Sequence, residues 1–379
     1  MRGLVPDQDT IYLVLAGSHA HGTARVDSDL DLRGVAIVPY TVRHSFRESF
    51  DQYEGSLTRG LAESIEPRAQ AKGLSLNSGK VEVTIFDVQK FIRLCVAANP
   101  NMLEILFADV EDWLFESPTW RAIHERRALF LSRKVCETYV GYAMAQLKRI
   151  KTHRAWLLQP PVRKPARKDF GLPENSTLSS DERNRIEEAI AFKLRSWGLD
   201  DLEMPSTTRI AIRGRLEEFW TAVLEGDAGG LEDDLRRKAA GSLGLSRQVT
   251  EILERERRYR AAQAHWQSFE KWKRERNPVR AELEARFGYD TKHASHLIRL
   301  MRSGLELVET GELRVKRFDA SDLKSIRDGA MSYDQVVEEA QRLERQMREA
   351  LEASPLPVKP HDEAIDGLLM RVIREFSVD

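Results

Sequence analysis

The chain has 379 residues, 41% hydrophobic and 31% charged, with a net charge of −1. That length suffices for two or three domains and a sizeable core. The composition reads as a soluble globular protein rich in surface charge, and without any run of eighteen apolar residues no membrane span is expected. Charge is uneven: residues 1–112 hold eleven Lys/Arg against sixteen Asp/Glu, so the basic excess lies further along. Cys95 and Cys136 are the only cysteines. They make neither a disulfide framework nor a CxxC zinc pair. The first residues lack the basic, apolar, small-residue order of a signal peptide, and a reducing cytoplasm is the expected location.

Residues 11–16 (IYLVLA) read as a buried strand, and residues 29–38 (DLDLRGVAIV) as a second. Residues 42–79 are polar and mixed, which predicts a loop with an irregular element and a turn at LNSG (76–79). KVEVTIF at 80–86 alternates and predicts a third strand. Asp87 then stands where a helix N-cap belongs, and Asn99-Pro100 restarts a helix with Pro at its first position. Three strands interleaved with helices predict a small α/β unit over 1–112, and residues 113–379 read as a mainly helical region. Within it, 118–153 suits one or two helices. Four prolines between 159 and 173 predict a linker or extended arm. Residues 178–198, 208–225, 231–276, 278–310 and 333–353 read as helix-rich, with 251–276 a solvated helix supported by i,i+4 pairs rather than a coiled coil.

The stretch GSHAHGTARVDSDLD, residues 17–31, carries the chemistry. A strand that ends in Gly-Ser and enters a helix is a phosphate grip: Gly17 allows a tight turn, and Ser18 adds a hydroxyl to the freed N–H groups. His19, His21 and Ser28 flank it as further candidate contacts. Asp29 and Asp31, two apart on a strand, share a face. Two carboxylates so placed repel unless a cation lies between them, and Mg²⁺ (or Mn²⁺) prefers such hard oxygens. A two-metal site needs a third carboxylate. In the 80–86 strand, Glu82 shares the face opposite Val81, Val83 and Ile85, so it is the expected third ligand. Asp87, out of phase, is explained by its capping role.

Apolar strand, Gly17-Ser18, Gly22 and SDLDLRGV together resemble the signature of the DNA-polymerase-β-like nucleotidyltransferases, and the trailing Arg33-Gly34-Val35 resembles the YcgL-type branch associated with RNA-repair ligases. Residues 90–107, 153–173 and 289–312 are similar to further blocks of that branch. The resemblance implies an α+β fold: a polymerase-β-like nucleotidyltransferase domain, with a mixed sheet and flanking helices, followed by a mainly α-helical region that binds acceptor and nucleotide. It implies transfer of NMP from an NTP with two divalent ions, onto an acceptor expected to be an RNA end, with RNA-repair ligase machinery as a partner and no membrane.

Two further motifs are candidates for phosphate contact. Residues 148–168 hold eight Lys/Arg and no acid. Lys148, Lys151, Arg154, Arg163, Lys164, Arg167 and Lys168, with Trp156 among them, suit single-stranded nucleic acid through phosphate contacts and stacking. Lys292, His296 and Arg299 fall on one helical face and suit phosphate binding, either of the incoming nucleotide or of the acceptor end. A zinc site from His293 and His296 lacks further ligands. Three alternatives stand beside the RNA reading: AMP transfer to a protein hydroxyl, nucleotidylation of a small molecule, and a non-catalytic nucleotide or nucleic-acid sensor.

Overall fold

Strand β1 (Thr10–Leu15) is apolar and wholly buried, which places it inside a sheet. A computed structural model describes residues 5–26, 28–43, 45, 50–76, 81–172, 174, 188–189, 192, 247–276 and 278–376. The strands β2 (Leu30–Ala36), β3 (Gln52–Gly55), β4 (Val81–Asp87) and β5 (Trp113–Glu116) join β1 in one sheet of order β3-β4-β2-β1-β5. β2 and β4 run parallel, and the other neighbours are antiparallel. The sheet is therefore mixed, with flanking helices, and the rest of the described chain is mostly helical: the fold is α+β.

The helices are α1 (Pro6–Asp9), α2 (Gly17–Ala20), α3 (Tyr40–Arg43), α4 (Arg59–Ala71), α5 (Val88–Val96), α6 (Pro100–Leu106), α7 (Pro118–His124), α8 (Lys134–Leu158), α9 (Arg247–Glu275), α10 (Pro278–Phe287), α11 (Thr291–Thr310), α12 (Ala320–Arg327), α13 (Tyr333–Ala350) and α14 (Asp362–Phe376). Their starts follow local chemistry. Asp87 accepts from the N–H groups of Gln89 and Lys90, and Asn99 from those of Asn101 and Met102, with Pro100 at the first helical position. Gly311 ends α11 in the left-handed conformation.

The expected loop over 42–79 instead contains the edge strand β3 and the thirteen-residue helix α4. The turn expected at LNSG (76–79) and the helices expected over 178–198 and 208–225 lie largely outside the described residues, as does 231–246. The helix-rich stretch 278–310 holds two helices, α10 and α11, separated at Gly288, whose φ is +75°. The sheet also continues past residue 112, because β5 pairs with β1.

The chain divides into two compact units, residues 1–158 with 279–379, and residues 159–278. In the first, the two sheet faces bury different sets. Leu13, Leu15, Leu30, Leu32, Val83 and Ile85 pack with Leu61 and Ile65 of α4. Tyr12, Val14, Val35 and Phe86 join a larger core that reaches through α5, α6 and α8 to α11, α13 and α14. Tyr12 stacks on Trp120 at 3.8 Å between ring centroids. Gly304 lets α11 approach α8 closely: a Cβ there would lie 2.9 Å from Tyr139 Cβ and 2.7 Å from Met347 Cε. In the second unit, the arm is extended apart from one 3₁₀ turn, Arg167–Phe170. Arg167 binds Glu256 of α9 through two nitrogens at 3.1 and 2.9 Å.

Candidate active site

Three chain segments meet along the edge formed by the ends of the three central strands, not at an edge strand of the sheet. β1 ends at Leu15 opposite Leu32, β2 begins at Leu30, and β4 begins at Val81. In the parallel β2–β4 ladder Asp31 is the register partner of Glu82. Register partners share a face, and here it is the face opposite Leu30, Leu32 and Val83, which are buried against α4. Asp29 precedes β2 by one residue and is exposed, as is Glu82, while Asp31 is half-buried. Arg33 Nη2 lies 3.5 Å from Asp31 Oδ1 and puts a positive charge beside it.

The Gly17-Ser18 turn is fastened to this edge. The Ala16 N–H donates to Asp31 O at 2.8 Å. Gly17 has φ +60°, and a Cβ there would overlap Asp31 Oδ2 and stand 3.1 Å from its Cγ. Glycine is thus required twice, by conformation and by the approach of a carboxylate. α2 is a single turn, so it contributes local N–H groups rather than a long dipole. Those of Gly17, Ser18 and His19 have no carbonyl four residues back within the helix. The Ser18 carbonyl accepts from Thr23 N–H at 2.9 Å. Among the described residues its hydroxyl has no hydrogen-bond partner. Ser28 is taken up locally, its hydroxyl accepting from Arg25 N–H at 2.9 Å.

His21 does not face this edge as an open phosphate contact. It is buried, and its Nε2 lies 3.0 Å from Glu104 Oε2. Glu104 Oε1 accepts from Arg299 Nη1, and Arg299 Nη2 lies 3.2 Å from His296 Nδ1. Arg299 is only 4% exposed. The expected stripe therefore splits: Lys292 is exposed, whereas Arg299 turns inward onto Glu104 and His296 pairs with Arg299. Burial alone would raise the Glu104 carboxyl, but Arg299 and His21 outweigh it and hold it well below the usual carboxylate range. Burial, then the Arg299 charge, pushes His296 down to about 3 and lowers His21 as well. Glu104 was absent from the sequence reading. Its signal was a lone acid inside the apolar run MLEILF.

Among the described residues one set of His, Cys, Asp and Glu ligand atoms converges within 4.8 Å, namely His153, Asp290 and His293. His293 Nδ1 sits 2.6 Å from Asp290 Oδ2, and Nε2 sits 3.5 Å from Arg149 Nη1. Both ring nitrogens are thus engaged, and a cation adjoins the set, so it is a poor metal centre. Hard carboxylate oxygens on a solvent-facing edge suit Mg²⁺ far better, and Asp29, Asp31 and Glu82 supply them.

The basic arm is also divided. Lys148 and Lys151 on α8 are exposed. Trp156, expected as a base-stacking residue, is buried, with its ring stacked on His153 at 5.4 Å between centroids. Arg154 donates to Gly288 O at 2.8 Å and covers the Tyr333 ring. In the second unit Arg163 is exposed but paired with Asp169 at 2.7 Å, Arg167 is held by Glu256, and Lys164 and Lys168 are exposed.

No described helix is long and apolar enough to cross a membrane. No curated protein and no solved structure matches the chain. Residues 6–158 match the RlaP family model, described as an RNA repair pathway DNA polymerase beta family. That span contains the Gly17-Ser18 turn, Asp29, Asp31 and Glu82, and the match supports a polymerase-β-like nucleotidyltransferase branch tied to RNA repair.

Proposed function

We propose that the protein transfers an NMP from an NTP to the hydroxyl of an RNA end, releasing pyrophosphate. The observation that carries this reading is the register match of Asp31 with Glu82, with Gly17 packed against the Asp31 carboxylate. The Gly17-Ser18 turn and the carboxylates share the ends of the central strands, which supports a reading of the turn as the phosphate grip. Asp29, Asp31 and Glu82 would hold Mg²⁺ or Mn²⁺. When bound, such ions neutralise charge on the triphosphate and favour ionisation of the acceptor hydroxyl.

The chain's own part is orientation. The N–H groups of the Gly17-Ser18 turn and the Ser18 hydroxyl receive the β- and γ-phosphates, leaving the α-phosphorus over the carboxylate face. The acceptor oxygen forms a bond to that phosphorus in line with the bond to pyrophosphate, which breaks. Its proton leaves to the carboxylate face. Exposed Lys148, Lys151, Lys164 and Lys168 are the cations best placed by exposure to meet RNA phosphates. Arg154, Arg167 and Trp156 serve packing instead.

The test is transfer of labelled NMP to RNA, DNA or protein in the presence of Mg²⁺ or Mn²⁺. Label on RNA, lost in an Asp29→Ala/Asp31→Ala variant, is the expected result. Label on protein would replace the RNA reading with protein nucleotidylation, and NTP binding without transfer to any acceptor would favour a sensor.

A further inference from the structure

Glu104 interrupts an apolar helix, and the chemistry at the sheet edge does not use it directly. Both of its oxygens are nevertheless committed, Oε2 to His21 Nε2 at 3.0 Å and Oε1 to Arg299 Nη1. His21 is the residue that closes α2. Its N–H donates to Gly17 O at 3.1 Å, and its carbonyl accepts from Arg317 N–H at 3.3 Å. Arg317 is anchored in turn, through Nη1 to Glu306 and through Nε to Asp319 at 3.0 Å. The end of the phosphate turn is therefore held by ring, N–H and carbonyl at once. Two of these three restraints come from outside the turn, from Glu104 and from residue 317.

Packing alone does not call for this arrangement. A buried ion pair gains little net stability over apolar residues of the same volume, because desolvation offsets the attraction. What the pair supplies is direction. A carboxylate pinned by Arg299 presents its second oxygen to His21 in one orientation, which a leucine would not do.

We propose that Glu104 is a positioning residue for the nucleotide site. With Arg299 it fixes the His21 ring, and through His21 it sets the Gly17-Ser18 turn to receive the β- and γ-phosphates. This rests on the nucleotidyl-transfer reading above. Glu104 touches neither substrate nor reacting atoms and acts only through His21. It also makes α11 part of the nucleotide site.

The test uses the full chain. Glu104→Leu/Arg299→Met replaces the pair with apolar volume and strands neither charge. His21→Leu removes the ring's polar contact, while His21→Gln keeps a donor for Glu104. Affinity for each NTP and the matching NMP is measured by displacement with Mn²⁺ present, and folding is checked by circular dichroism. The NMP lacks the phosphates that the turn receives, so general loosening weakens both ligands, whereas a misplaced turn weakens only the NTP.

We expect Glu104→Leu/Arg299→Met and His21→Leu to lose about tenfold in NTP affinity, the worth of one oriented hydrogen-bond contact, with NMP affinity unchanged and His21→Gln close to wild type. A folded variant whose NTP-to-NMP ratio stays within about twofold of wild type overturns the proposal. If the double variant does not fold, the comparison of His21→Leu with His21→Gln decides in the same way. If the wild-type chain binds no NTP, the nucleotidyl-transfer reading falls first and the proposal with it.

Discussion

Gly17 carries more constraint than any other residue of the turn. Its φ of +60° strains any other L-residue, and Asp31 fills the space a side chain would need. Gly17→Ala should cost about 1–2 kcal/mol in stability and displace Asp31, so transfer should fall to the level of the aspartate variants. Denaturant unfolding and the transfer assay, run on one preparation, separate the two effects. His296 allows a second prediction. Its folded pKa of about 3 lies below the unfolded value of about 6.5. Between those values the unfolded chain binds more protons, so stability must fall as pH drops below about 6.5. At pH 5.5 the loss from this group is about 1.4 kcal/mol relative to pH 7.5. Buried His21, also lowered, acts in the same direction. Urea unfolding of wild type and His296→Gln at the two pH values should show the smaller pH effect in the variant. Equal effects would mean that folding leaves the proton affinity of His296 unchanged. The Gly17-Ser18 and Asp-x-Asp pairs were legible because each needs only local sequence. The inward turn of His21 and Arg299 was not, because their partner Glu104 lies 83 and 195 residues away along the chain.

At the scale of elements, β4 and α5 separate two acids that lie five residues apart. Glu82 stands on the open face beside Asp31, whereas Asp87 caps α5 and pairs with buried Arg43 at 3.1 Å. Glu82→Ala should leave the melting temperature near wild type and abolish transfer. Asp87→Ala should cost at least about 1 kcal/mol from the lost cap alone, and more because Arg43 would be left buried without its partner charge. A Glu82→Ala variant that transfers normally would remove Glu82 from the metal set. The alternation of 80–86 and the caps at Asp87 and Asn99 made these elements readable. β3 and β5 were not, because QYEG and WLFE are four-residue strands too short to establish a period. α4 was masked by its polar composition and by Pro67 inside the helix.

At the scale of the molecule, the larger core joins the sheet to helices far along the chain. Tyr139 of α8 contacts the Gly304 position of α11, and Leu297, Ile298 and Met301 are fully buried. A fragment ending at residue 158 would expose that core. We expect it to aggregate or bind a hydrophobic dye, while the full chain does neither. A soluble, cooperatively folding 1–158 fragment would show that α11 to α14 are dispensable to the fold. The charge and periodicity of the helical region are local features and legible in the sequence, whereas membership of a shared core depends on contacts across more than a hundred residues. The central claim, that the edge bearing Gly17, Asp29, Asp31 and Glu82 is a nucleotidyl-transfer site, meets its most direct test in one assay. Each α-labelled NTP is offered with Mg²⁺ or Mn²⁺ and RNA to the wild-type chain and to Asp29→Ala/Asp31→Ala. The account predicts label on RNA with wild type and none with the variant. Equal labelling by both proteins would contradict it.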